Sequence, residues 1–128
     1  MKIKWKKGKK KILVVDDEKA ALELAEVKLK ELGYDAITAI SGKDCLKIAK
    51  EEKPDLILLD VMMPELDGGG TAQRLSENPE TKNIPIIFVT CLISEKEELE
   101  CLGEIRGRLF VAKPLDKERL SEAINKVL

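Results

Sequence analysis

At 128 residues the chain is long enough to bury a substantial core and too short for two ordinary domains. Apolar residues at 44% and charged residues at 37% exclude a disordered chain, and only four aromatics leave Leu, Ile, Val and Ala to build the interior, the palette of buried parallel sheets. The net charge of −1 hides an asymmetry: the first eleven residues hold seven lysines and no acid, leaving 16 basic against 24 acidic residues from position 12 onward, a net of −8.

Residues 1–10, with Trp5 among them, read as a basic tail, ordinarily a solvated arm, ahead of a single acidic domain over 11–128. The domain's own acidity argues against nucleic acid as its ligand. No apolar run approaches the roughly 20 residues of a membrane span, and the lysine-rich start lacks the apolar centre of a signal peptide, so a cytoplasmic location is expected. Cys45, Cys91 and Cys101 are odd in number and show no zinc spacing, which reads as free thiols in a reducing compartment.

Lys11 to Val15 reads as a short buried strand that ends in Asp16-Asp17-Glu18. Helical spacing follows, with Leu22, Ala25, Leu29 and Leu32 on one face and Gly33 as a C-terminal stop. A helix cap would explain one acid at this junction but does not ask for three. Asp35 to Ala39 forms a second strand; Ser41 is a candidate N-cap for a helix that turns Cys45, Leu46 and Ala49 inward and stops before Pro54.

Residues 55 to 60 make a continuously apolar strand closed by a single carboxylate, Asp60. The polar loop Pro64 to Gly68 comes next, and Gly69-Gly70 loosens the first turn of a helix that runs to Asn78. Pro85 to Thr90 is a fourth strand with a hydroxyl at its end, and Ser94 with Glu97 forms a capping box for the next helix. A fifth strand, Leu109 to Ala112, ends at Lys113-Pro114, and residues 116 to 127 close as a helix with Leu120, Ala123, Ile124 and Val127 inward.

Five β-then-α units predict an α/β doubly wound fold: a five-stranded parallel sheet, flavodoxin-like in strand order 2-1-3-4-5, with helices on both faces. Parallel strands point the same way, so Asp16, Asp17, Asp60, Thr90 and Lys113 should collect at one sheet edge. An isolated Asp there would ordinarily only turn or cap the chain. Clustered carboxylates repel, and a hard divalent cation, best Mg²⁺, relieves them while leaving one Asp oxygen free as a nucleophile. With a lysine and a hydroxyl to neutralise phosphoryl oxygens, such a site could accept a phosphoryl group.

Taken together, Val14-Val15-Asp16-Asp17-Glu18, Leu59-Asp60-Val61-Met62-Met63-Pro64 with Asp67-Gly68, Phe88-Val89-Thr90, and Phe110 ahead of Lys113-Pro114 resemble a response-regulator receiver domain, chemotaxis-regulator-like, from about Lys10 to Leu128. The resemblance implies that Asp60 takes a phosphoryl group from a phosphohistidine of a sensor histidine kinase or phosphotransfer protein. It implies Mg²⁺ held by Asp17, Asp60 and the backbone carbonyl of Met62, with Asp16 acting mainly through water, and Thr90 and Lys113 on the acyl phosphate. Thr90 and Phe110 would form the switch, and Lys113-Pro114 would be a cis peptide. Met62 and Cys91 flank the site where the lifetime of the acyl phosphate is influenced.

The expected protein is a two-component signalling switch that assists its own phosphoryl transfer and dephosphorylation without being a turnover enzyme. Its downstream protein target and oligomeric state are left open, a monomer being the simplest. Two departures from the family pattern, the Gly69-Gly70 helix start and the Cys101 to Arg108 turn, bear on the switching surface rather than the site. Rival readings are a receiver-like interaction module that works without phosphate, and a small metal-dependent phosphatase, which the absence of any substrate cap disfavours.

Overall fold

Each central strand is apolar at successive positions, and the pleat sends neighbouring side chains to opposite faces, so a strand of this kind must be covered on both sides. The computed structural model describes residues 9–61, 68–90, 109–112 and 116–128, with the side chains of Thr90, Leu109 and Ala112 outside that description. In chain order its elements are β1 (Lys11–Val15), α1 (Lys19–Glu31), β2 (Asp35–Ala39), α2 (Gly42–Glu52), β3 (Leu56–Asp60), α3 (Gly68–Glu77), β4 (Ile86–Thr90), β5 (Leu109–Ala112) and α4 (Lys117–Val127). The strands pair in parallel in the order β2-β1-β3-β4-β5, the doubly wound arrangement the sequence predicts.

Alternation sorts the core into two layers. Ile12, Val14, Leu56, Leu58, Ile87, Val89 and Val111 pack under α1 and α4, against Leu22, Ala25, Leu29, Leu120 and Ile124. Leu13, Val15, Ile57, Leu59, Ile86 and Phe88 pack on the other face, against Cys45 and Ala49 of α2 and Ala72 and Leu75 of α3. All five residues of β3 are buried, and each fully buried Leu or Ile contributes roughly 1.5–3 kcal/mol, which makes this strand the anchor of the sheet. Leu32, Leu46, Ala123 and Val127, expected inward, lie at the margins of these layers and are only partly buried.

Local signals set the element ends. Gly33, at φ +94°, follows α1; its N–H donates to the Lys30 carbonyl (3.0 Å) and that of Tyr34 to the Leu29 carbonyl (2.9 Å), the two bonds of a Schellman stop. Ser41 caps α2 by accepting from the Asp44 N–H at 3.1 Å. Asp55 precedes β3 rather than opening it: its N–H donates to the Lys11 carbonyl and its carboxylate accepts from the Lys11 N–H, both at 2.8 Å, which ties the starts of β3 and β1 together. At the end of the basic tail, Lys9 pairs with Asp35 at 3.5 Å, and the Lys10 carbonyl accepts from the Asp35 N–H at 2.9 Å.

Residues 1–8, the Ser94/Glu97 capping box, Cys91, Cys101 and Lys113-Pro114 lie outside the described residues. Among those described, no helix is long and apolar enough to cross a membrane. Cys45 is a free thiol on the buried face of α2, and burial pushes its pKa up to about 12. The native protein should therefore resist iodoacetamide at Cys45 near pH 8, while the urea-unfolded chain reacts readily at its ordinary thiol pKa. Mass mapping of the Cys45 peptide reads the difference. Because only the unfolded thiol ionises between about pH 9 and 12, stability from this group is intact below that window and lost as pH rises through it.

Candidate functional site

Strand order reverses at β1 and β3, and the crevice beyond the carboxyl ends of such a pair is where open α/β sheets take ligands. Val15 pairs with Leu59, so the next residues on each strand, Asp16 and Asp60, emerge side by side. Val15 and Leu59 both belong to the α2/α3 layer, and one further step along either pleat points toward the α1/α4 side. That common parity brings the two acids together although 44 positions of sequence separate them.

Both are buried, Asp16 at 4% and Asp60 at 5% exposure, while Asp17 beside them is exposed. One carboxylate oxygen from each of the three lies within 4.8 Å of the others. Like charges about 4 Å apart repel by roughly 4 kcal/mol at an effective dielectric near 20. Helix capping does not account for the arrangement. The N-cap of α1 is Glu18, whose side chain makes no capping bond, and Asp16 Oδ1 accepts from the Glu18 N–H at 2.9 Å, a local turn that fixes the Asp16 carboxylate. The Asp16 N–H in turn donates to the Ala39 carbonyl of β2 at 3.1 Å.

Asp60 is held as rigidly from the other side. The Val61 N–H donates to the Val89 carbonyl at 3.0 Å and extends the β3–β4 ladder past the acid. Helix α3 then starts directly on this strand end: the Gly68 N–H donates to the Val61 carbonyl at 3.1 Å. A Cβ at position 68 would stand 2.6 Å from the Asp60 carbonyl oxygen and 2.8 Å from the Val61 Cα. Gly68 is thus a site-supporting residue that the sequence reading placed only in a polar loop; its one signal there is its place after Asp67, in the motif that follows Asp60.

Thr90 ends β4, its backbone paired with Ala112 of β5, one position beyond the Asp60–Val89 pair. Phe110 is partly buried on β5, and its ring stacks on Phe88 with centroids 5.1 Å apart and planes at 28°. Phe88 as the bed of that ring also escaped the sequence reading, though the two Phe residues pair across the β4–β5 ladder. Met62 and Lys113 lie outside the described residues. The structure therefore brings together Asp16, Asp17 and Asp60 as side chains, and puts the β4 terminus at the same edge.

Comparisons with known proteins give the family and the fold. The response regulator receiver domain family matches residues 12–125. A protein described as a probable transcriptional regulator, ycf27 of Porphyridium aerugineum, is 38% identical over 120 residues, 94% of this chain and 48% of its own length. Protein PilH of Pseudomonas aeruginosa is 35% identical over 119 residues, 92% of this chain and 97% of its own length. The chain spans about half the length of the ycf27 relatives it matches, and nearly all of PilH. Among solved structures, chemotaxis protein CheY4 of Vibrio cholerae superimposes with a TM-score of 0.81 at 26% identity, covering 94% of this chain and 100% of that one. With its sheet order, its strand-end acids and this match over nearly the whole domain, the chain belongs to the response regulator receiver domain family, the signal-receiving modules of two-component systems.

Proposed function

We propose that the protein is a phosphorylation-operated switch in which Asp60 accepts a phosphoryl group from a phosphohistidine of a sensor kinase or phosphotransfer protein. The observation that carries this reading is the buried Asp60 carboxylate with the oxygens of Asp16 and Asp17 gathered within 4.8 Å of it. In the transfer, an Asp60 oxygen forms the new P–O bond as the P–N bond of the donor breaks, and the imidazole, protonated on its other nitrogen, takes the bonding electron pair and leaves as the neutral ring. These 128 residues contain no histidine, so the phosphoryl donor lies outside them.

The acidic cluster fits a hard divalent cation. One oxygen from each of three carboxylates, gathered within 4.8 Å, makes the all-oxygen, multiply anionic donor set that a hard cation such as Mg²⁺ would take, directly or through water. Asp17 and Asp60, with the Met62 carbonyl, would hold it directly, and Asp16, fixed by the Glu18 N–H, through water. Bound there, Mg²⁺ supplies charge neutralisation for the phosphoryl oxygens. Asp60 keeps one oxygen for attack, and Lys113 and the Thr90 hydroxyl contact the phosphoryl oxygens that result. Phe110, bedded on Phe88, follows the Thr90 hydroxyl and passes the change to the surface read by a downstream protein.

The test is incubation with Mg²⁺ and acetyl phosphate followed by intact mass. One phosphoryl group is expected, absent when EDTA replaces Mg²⁺. No adduct under conditions that phosphorylate a control receiver would favour an interaction module that works without phosphate, and multiple turnover of a phosphomonoester would favour a phosphatase.

A further inference from the structure

The domain is strongly acidic, yet one concavity on it is basic. A groove of about 590 Å³ between α2 and α3 is lined by Lys43, Lys47, Lys50 and Arg74, together with Leu46 and Asn78, with Glu51 its one acid. Lys43, Lys47 and Lys50 recur at intervals of four and three, so α2 turns all three to one side within roughly two helical turns. Arg74 faces them from α3. Among the described residues none of these four cations makes an ion pair or a side-chain hydrogen bond. Exposed cations are ordinarily solvated, but four of them turned into one concavity leave mutual repulsion that an anion would relieve.

Asn78 adds a neutral donor to the lining. The Asn78 side-chain oxygen is committed to the Glu80 N–H at 2.9 Å, which leaves its amide N–H groups toward the groove. Thr81 donates its hydroxyl to the Leu75 carbonyl at 2.7 Å, which ties the segment after α3 back to the helix end. Four cations against one acid give the wall a net charge of +3, which favours a compact, acceptor-rich anion.

We propose that this groove binds a polyphosphate-bearing small ligand of nucleotide size. The volume falls in the usual range for small-molecule sites, about 300–1,000 Å³, and a single phosphate would leave most of it unfilled. Three or four negative charges on a di- or triphosphate sit within a few ångströms of one another, so one ligand can meet several of the cations that line the groove. An acidic peptide spreads its charges at roughly 3.3 Å per residue and loses chain entropy on ordering. The guanidinium of Arg74 adds a bidentate fork suited to phosphate oxygens. None of these residues belongs to the acidic cluster, so the groove stands apart from the phosphoacceptor reading.

Calorimetric titration of the full chain in EDTA with adenosine triphosphate, tripolyphosphate and adenosine monophosphate, with amide shift mapping by NMR, tests this. One-to-one binding of the triphosphates is expected, at least tenfold tighter than the monophosphate, with shifts centred on residues 43–51 and 74–81. Arg74→Glu and Lys47→Glu should each weaken it at least tenfold, and Lys126→Glu on α4 should leave it unchanged. Circular dichroism checks that the folds match. The proposal is overturned if millimolar triphosphate does not bind, if the shifts centre on the lysines of residues 2–11, or if deca-glutamate binds as tightly, which would make the groove a protein-docking surface.

Discussion

Asp60→Asn is expected to remove the phosphoryl adduct entirely while leaving the sheet intact. The replacement is nearly isosteric, so the packing around the β3 terminus and the Val61–Val89 bond stay in place. What changes is chemistry: an amide oxygen is a poor nucleophile and carries no charge for a metal. The sign of the stability effect follows from the cluster. Removing one of three gathered carboxylates relieves repulsion against Asp16 and Asp17, so in metal-free buffer the variant should melt at the same temperature as the parent or a few degrees above it. Mg²⁺ affinity should fall by at least tenfold, because a ligand charge is lost. The readouts are intact mass after acetyl phosphate, thermal melting in EDTA, and Mg²⁺ titration. A persistent adduct in Asp60→Asn would move the acceptor to another acid, with Asp16 and Asp17 as the next candidates. A fall in melting temperature of more than about 5 °C would mean that Asp60 is mainly structural.

The site was legible in sequence to the degree that it depends on strand ends. The continuously apolar runs, the acids after β1 and the acid that closes β3 are local signals, and parallel pairing carries them to one edge without further information. Asp16 and Asp60 become neighbours for that reason alone. Contacts that depend on close approach of distant backbone are a different matter. Gly68 looks in sequence like a turn residue, because nothing local says that α3 begins against the carbonyl of Asp60. The partial burial of Leu32, Leu46, Ala123 and Val127 is similar: helical spacing tells which side a residue is on but not how far the neighbouring element extends over it. The basic groove needs both α2 and α3 in place, since Lys43, Lys47 and Lys50 alone read as an ordinary solvated stripe.

Gly68→Ala poses the sharpest test of how the site is supported, because propensity and sterics pull in opposite directions. In a helix Ala is favoured over Gly by roughly 0.8–1.0 kcal/mol, so a reading of α3 alone predicts stabilisation. The backbone it starts on predicts the reverse. A Cβ 2.6 Å from the Asp60 carbonyl oxygen and 2.8 Å from the Val61 Cα meets main chain, not a flexible side chain that can swing away. That main chain is buried and paired to β4, so it yields only by weakening the ladder or by lifting the first turn of α3. Overpacking of this kind typically costs 1–3 kcal/mol, enough to outweigh the propensity gain. The expected result is a net loss of about 1–2 kcal/mol in urea unfolding, together with phosphorylation by acetyl phosphate slowed at least tenfold, since the shift falls on the peptide that carries the nucleophile. Gly69→Ala, at an exposed position in the same turn, should unfold at or above the parent's midpoint and phosphorylate at the parent's rate. If both variants were equally stable and equally fast, α3 would not be braced on Asp60, and the glycine would serve only the turn before the helix.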